Sequence, residues 1–277
     1  MKNLFKTSLA LSLAVSVCAM FAGCTGKGNT NTAAAKNKTN EEIETTLSKS
    51  DIESLDNTLI GYGQGVQVND DNVPLGATDF NSSYSDYGAY ALSDSSKKIT
   101  LTFDQGYENG YTAKILDTLK EKKVHAVFFV LLDYAEKNPD LIKRMIDEGH
   151  TVANHSATHP SFPNISTDEM IDEVMQVHDY IKGKYDYDMT LFRFPKGEFS
   201  QKALAVVQSC GYKSVFWSFA YADWDTNAQP AHDEALEKIV DSAHEGAVYL
   251  LHSVSETNAA VLGDAIDGIR ANGFEFN

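Results

Sequence analysis

Cysteine is scarce in this sequence, as are cations and long apolar runs, and each shortage excludes something. Three cysteines occur in 277 residues, and Cys18 lies inside the apolar stretch near the N-terminus, leaving Cys24 and a solitary Cys210. With Cys24 acylated, as argued below, no intramolecular disulfide framework is implied. Lysine and arginine total 23 against 39 aspartates and glutamates, a net charge of −16. That balance argues against nucleic acid or an anionic lipid surface as a partner. The apolar stretch itself, Leu9 to Ala22, is too short for a comfortable membrane span.

Its layout is that of an export signal, since Lys2 and Lys6 precede it and small residues end it. Phe21-Ala22-Gly23-Cys24 resembles a lipobox, with phenylalanine where leucine is usual. Residues 1–23 are therefore expected to be a lipoprotein signal peptide, with Cys24 carrying a lipid and tethering the protein outside the cell membrane; a cleaved signal would give a secreted protein instead. Losing Lys2 and Lys6 takes the net charge from −16 to −18. Residues 24–47 are rich in Asn, Thr, Ala, Lys and Glu and cannot bury enough apolar surface to order themselves, so they are expected to be a disordered tether.

The rest fits a single domain. Ile99, Leu101 and Phe103 alternate with Thr100 and Thr102, the period of a strand that ends at Asp104. Further strands are expected at Val124 to Val130, His150 to Asn154, Met189 to Arg193, Lys213 to Trp217, Ala247 to Leu251 and Gly273 to Phe276. Helices fall between them: around Leu116, after Asn138-Pro139, after the capping box Ser166-Thr167-Asp168-Glu169, and near Ala203, Ile239 and Ile266. About seven strands alternating with helices imply an α/β fold with right-handed crossovers and a parallel sheet, open or closed as a barrel. Residues 48–96 are polar and weakly periodic, too long for an ordinary loop. Tyr62, Tyr84, Tyr87 and Tyr90 favour their packing as an N-terminal extension on the catalytic domain at 97–277.

Asp104, His155, His159, Arg193, Asp223 and His252 all lie at or just past predicted strand ends, where α/β folds place their sites. His178, His232 and His244 lie elsewhere and read as solvated or structural. His155 and His159, four apart, can aim two imidazoles at one cation, though such a pair on a helix face is common. Taken singly, Asp104 could cap a turn, Arg193 make a surface ion pair and His252 be a buried histidine with a backbone partner.

Together these residues carry a resemblance. Thr102-Phe103-Asp104-Gln105-Gly106, His155-Ser156-Ala157-Thr158-His159-Pro160, Arg193-Phe194-Pro195-Lys196-Gly197, Asp223-Trp224 and Leu250-Leu251-His252 resemble the five ordered motifs of the NodB-homology polysaccharide deacetylases, carbohydrate esterase family 4. Asp104 to Thr112 and Val215-Phe216-Trp217-Ser218 are most similar to the subgroup that makes muramic δ-lactam in spore cortex peptidoglycan. The resemblance implies a distorted (β/α)7 barrel with an N-terminal wrapping segment. It implies Asp104 as general base, Arg193 holding that carboxylate, His155 and His159 as ligands of a divalent metal, zinc by preference, His252 as general acid, and Asp223 orienting it. Trp224 and Leu250 resemble the apolar wall that receives the acetyl methyl group, and either could equally be core; Lys196 is a candidate substrate contact.

Gln105 departs from the pattern, because most of the family has a metal-binding aspartate there. A carboxamide is a weaker donor, so the metal is expected to be weakly bound or exchangeable, with Gln105 at most a weak ligand. The expected activity is de-N-acetylation of muramic acid in peptidoglycan glycan strands by a monomer. The alternatives are a deacetylase of N-acetylglucosamine units or another acetylated polymer, and a sugar-binding lipoprotein that has lost turnover.

Overall fold

The computed structural model describes residues 47–95 and 97–277. The expected signal peptide, Cys24 and nearly all of the tether lie outside the described residues. No helix among those described is long and apolar enough to cross a membrane.

The chain runs α1 (Lys49–Ser54), β1 (Ile60–Gly61), α2 (Leu75–Tyr84), β2 (Ala89–Tyr90), β3 (Lys98–Gln105), α3 (Thr112–Lys122), β4 (Ala126–Val130), α4 (Leu132–Lys137), α5 (Pro139–Asp147) and β5 (Thr151–Asn154). It continues with α6 (Thr167–Tyr185), β6 (Leu191–Phe192), β7 (Glu198–Phe199), α7 (Gln201–Ser209), β8 (Lys213–Val215), β9 (Phe219–Ala220), α8 (His232–Asp241), β10 (Val248–His252), α9 (Glu256–Ala271) and β11 (Glu275–Phe276). Nine strands form one sheet in the order β2-β8-β6-β5-β4-β3-β10-β9, with β11 beside the start of β3, and every pairing is parallel. The sheet curls into a half-barrel, the α/β architecture expected from the alternation of strands and helices.

Local chemistry sets the element ends. Ser166 accepts from Glu169 N–H while Glu169 reaches back to Ser166, the capping box read from the sequence, and Ser200 and Ser255 cap α7 and α9. Pro139 opens α5, where a missing N–H costs nothing. In β3 the period of two sends Ile99, Leu101 and Phe103 into the main core. On the concave side Val127, Phe129, Ala153, Val215 and Val248 form a second, smaller cluster under Tyr90 and Leu191. Burying each such side chain contributes about 1.5–3 kcal/mol.

Two features were not legible in the sequence. The predicted Met189 to Arg193 strand is only two residues long; just past it Arg193 still donates its N–H to the Asn154 carbonyl at 3.0 Å while its side chain is buried. The predicted extension also supplies sheet: β2 pairs with β8, and Ala77 and Phe80 from α2 and Ala89 from β2 are core residues. After β2 the chain crosses to the start of β10, where Leu92 bridges Ala247 and Ser93 N–H donates to the Gly246 carbonyl at 2.8 Å. Gly246 has φ +69, and a Cβ there would collide with the Ser93 carbonyl, so this close approach requires glycine.

Candidate active site

The C-terminal ends of β3, β5, β6 and β10 open into a cleft of about 820 Å³. Asp104, the penultimate residue of β3, faces it beside Thr102, two residues earlier on the same side of the strand. Beneath them Arg193 is completely buried. Its Nη1 donates to Asp104 Oδ1 at 2.8 Å and Thr102 Oγ1 at 2.7 Å, its Nε to the Val215 carbonyl at 3.0 Å and its Nη2 to the Phe216 carbonyl at 3.2 Å. The guanidinium also lies 4.1 Å from the centre of the Phe129 ring. Burial alone would push the Asp104 carboxyl up; the opposing influences, Arg193 the largest of them, outweigh it and hold the group below its ordinary value.

His155 and His159 do not share a helix face. They stand on a tight loop after β5 in which Ser156 and His159 both have left-handed backbones, φ 76 and 62. Asn154 Oδ1 accepts from Ser156 N–H, Ser156 Oγ from His159 N–H, and Glu173 takes both the N–H and the hydroxyl of Thr158. Those bonds hold the two rings 5.0 Å apart. Burial is the main cause of a lowered pKa in both, and it brings His159 to about 4, so both imidazoles are neutral near pH 7.

On the opposite side, His252 Nδ1 donates to Asp223 Oδ1 at 2.7 Å. Asp223 is fully buried, and its Oδ2 accepts from His252 N–H at 2.8 Å and Asn258 Nδ2 at 2.5 Å. Burial pulls the His252 pKa down, but the Asp223 bond and charge, with Asp104 behind them, leave it above its ordinary value. In its acid form the imidazole carries the second proton on the nitrogen that is not bound to Asp223.

Leu250, Trp224 and Lys196 also line the cleft. Leu250 is buried, whereas Trp224 is 57% exposed and stands at the rim 6.0 Å from the His252 ring. His178 bonds Tyr212, His232 pairs with Glu256 at the surface, and His244 is buried between Ser218 and the Ser242 carbonyl; none of the three lines the cleft.

Residues the sequence reading did not single out complete the walls. Gln64, in the N-terminal segment, lines the cleft and clamps Trp217, accepting from its indole Nε1 at 2.9 Å while donating to the Ala220 carbonyl at 3.3 Å. Tyr62 donates its hydroxyl to the Trp217 carbonyl at 2.6 Å. Asn258 carried a findable signal, since it is the third residue after the helix cap Ser255 that follows His252. Gln64 carried none.

The donor set fits a divalent cation. His155 Nδ1 is 2.9 Å from the Arg193 carbonyl, which assigns the proton to that nitrogen and leaves the Nε2 lone pair facing Asp104 Oδ2 at 3.5 Å. Two lone pairs that close repel unless a cation or a donor comes between them. Gln105, fully buried, donates Nε2 to Ser253, and its Oε1 is without a partner. Two neutral imidazoles and one carboxamide supply no charge of their own, and no cluster of three or more His, Cys, Asp or Glu suited to a metal occurs among the described residues.

Known proteins resemble this chain in sequence and in fold. The polysaccharide deacetylase family profile matches residues 92–215. The chain is 41% identical over 228 residues to the peptidoglycan-N-acetylmuramic acid deacetylase PdaA of Bacillus subtilis, covering 81% of this chain and 86% of that one. It is 33% identical over 180 residues to the peptidoglycan-N-acetylglucosamine deacetylase PgdA of Listeria monocytogenes, covering 65% of this chain but 37% of that one. The solved structure of Bacillus subtilis PdaA, described as a family 4 carbohydrate esterase, superposes with a TM-score of 0.76 at 39% identity, covering 80% of this chain and 96% of that one. The chain therefore belongs to the polysaccharide deacetylases of carbohydrate esterase family 4, the NodB-homology hydrolases that cleave amide bonds of acetylated glycans.

Proposed function

We propose that the protein removes the acetyl group from N-acetylmuramic acid in peptidoglycan glycan strands, outside the cell membrane. The observation that carries the reaction type is a pair of opposed charged couples facing one cleft, Asp104 held by Arg193 and His252 held by Asp223. A pure binding protein has little need of both a base and an acid. The muramic preference rests on the greater likeness to PdaA, which extends over most of both chains, and on Gln105, because the δ-lactam subgroup that the motifs resemble commonly departs from aspartate at this position.

Asp104 takes a proton from the attacking water, and the Arg193 contact keeps its carboxylate ionised and aimed. His252 gives its proton to the departing amine nitrogen, which would otherwise leave as a poor anion. Asp223 and Asn258 fix the ring so that this proton faces the cleft. Leu250 and Trp224 form the apolar surface beside His252 that receives the acetyl methyl. His155 and His159, with Gln105 as a weak third donor, would hold a divalent metal such as zinc in exchangeable form. When bound, such a metal polarises the acetamide carbonyl and acidifies water.

Acetate release should be followed from glycan strands with and without stem peptides and from N-acetylglucosamine oligomers, each with and without added zinc. Release largely confined to peptide-free muramic strands is the expected result. Equal or faster release from N-acetylglucosamine oligomers would replace this reading with the glucosamine one, which the likeness to PgdA keeps in view.

A further inference from the structure

The charges around the cleft are matched in pairs, with one left over. Arg193 answers Asp104 at 2.8 Å and His252 answers Asp223 at 2.7 Å. Among the described residues, Lys196 is the only lysine or arginine that lines the cleft; it is exposed there, and no carboxylate of those residues pairs with it. An uncompensated cation at the mouth of a site, in a chain with 39 acidic and 23 basic residues, is a selective feature rather than an average one.

The backbone holds Lys196 in place. It has φ 59 and ψ 5, a left-handed conformation that costs a non-glycine residue about 1–2 kcal/mol. Its neighbours impose that conformation. Pro195 and Gly197 are buried, and Gly197 has φ +68 with the Trp217 ring pressed so close that a Cβ would lie 2.7 Å from Cη2. The Gly197 carbonyl accepts from Tyr62 N–H at 2.9 Å on the other side.

We propose that Lys196 is a specificity residue that pairs with a carboxylate on the substrate's sugar, the free lactyl carboxylate of muramic acid. This rests on the muramic reading above. A glucosamine unit has no such anion, and a muramic unit whose lactyl group is amide-linked to a stem peptide has lost it. Lys196 thus separates peptide-free muramic acid from both.

Two tetrasaccharides of alternating N-acetylglucosamine and N-acetylmuramic acid test the pairing, one with free lactyl carboxylates and one with the same groups as methyl esters. Titration calorimetry on the full chain should find the free acid bound about tenfold more tightly than the ester, the 1.4 kcal/mol scale of one charge-assisted hydrogen bond. Lys196→Gln should bring that ratio close to one without changing ester affinity, and Lys196→Arg should keep it. Wild-type protein that binds both equally or neither, or a Lys196→Gln variant that retains the preference, overturns the proposal. Acetate release from the same glycans separates the two readings. Acid-selective binding through Lys196 without release refutes the muramic reaction and leaves the pairing standing. Release by Lys196→Gln with an unchanged KM refutes the pairing alone.

Discussion

At the scale of single residues, two ion pairs carry the account, and each could be recognised in the sequence by its place at a strand end together with the motif around it. Asp223→Asn should keep the His252 geometry but remove the charge that offsets burial. Because the folded pKa of His252 is raised, its acid form persists below that pKa and is lost as pH rises through it. The variant should therefore lose activity at lower pH than the wild type. A pH profile of kcat/KM checks this, and an unshifted alkaline limb would remove His252 from the role of acid. Gln105→Asp should add one anionic ligand and tighten zinc binding by tenfold or more, read by competition with a chelating dye. Sequence motifs identified both histidines of the loop after β5 but not how they are aimed. That depends on left-handed backbone at Ser156 and His159, which no periodicity encodes.

Elements taught a different lesson. Strands β3, β4, β5 and β10 were legible because alternation or a short apolar run marks them, and the capping box marked α6. Segments β1, β2 and β7 were not, since each is two residues long and exists only through a distant partner: Ile60 with Phe199, Ala89 with Ser214. The same segment places Tyr62 and Gln64 against Trp217, so a stretch that reads as a polar wrapper forms one wall of the cleft. Gln64→Leu should leave the Trp217 Nε1 and the Ala220 carbonyl unpaired and loosen that wall. We expect KM to rise about tenfold, roughly 1.4 kcal/mol, with kcat within twofold. In a Trp224→Phe background the remaining tryptophan fluorescence should shift to the red. An unmoved spectrum and KM would show that the clamp does not shape the cleft.

Over the whole molecule, composition and alternation sufficed for the α/β class, because that depends on sums over many residues. The crossing from β2 to β10 at Leu92 and Ser93, which links the extension to the far side of the sheet, depends on one glycine and one carbonyl and left no pattern. Stability should also depend on pH. Burial, the largest influence, lowers His150 to about 4, and its Nδ1 accepts from Ala126 N–H while Nε2 is buried without a partner. A lowered histidine pKa stabilises the fold fully above the unfolded value of about 6.5 and is lost as pH falls toward 4, up to about 3 kcal/mol. Urea unfolding of His150→Gln should thus fall less between pH 7.5 and 4.5 than that of the wild type; parallel curves would contradict it. The claim on which everything else rests is that Asp104, set on Arg193, is the base of a de-N-acetylation, and acetate release from peptide-free muramic glycan by wild type and Asp104→Asn tests it most directly. The account predicts steady release by the wild type and a loss of about a thousandfold in the variant, with circular dichroism and Tm preserved. Release by Asp104→Asn at the wild-type rate would contradict it.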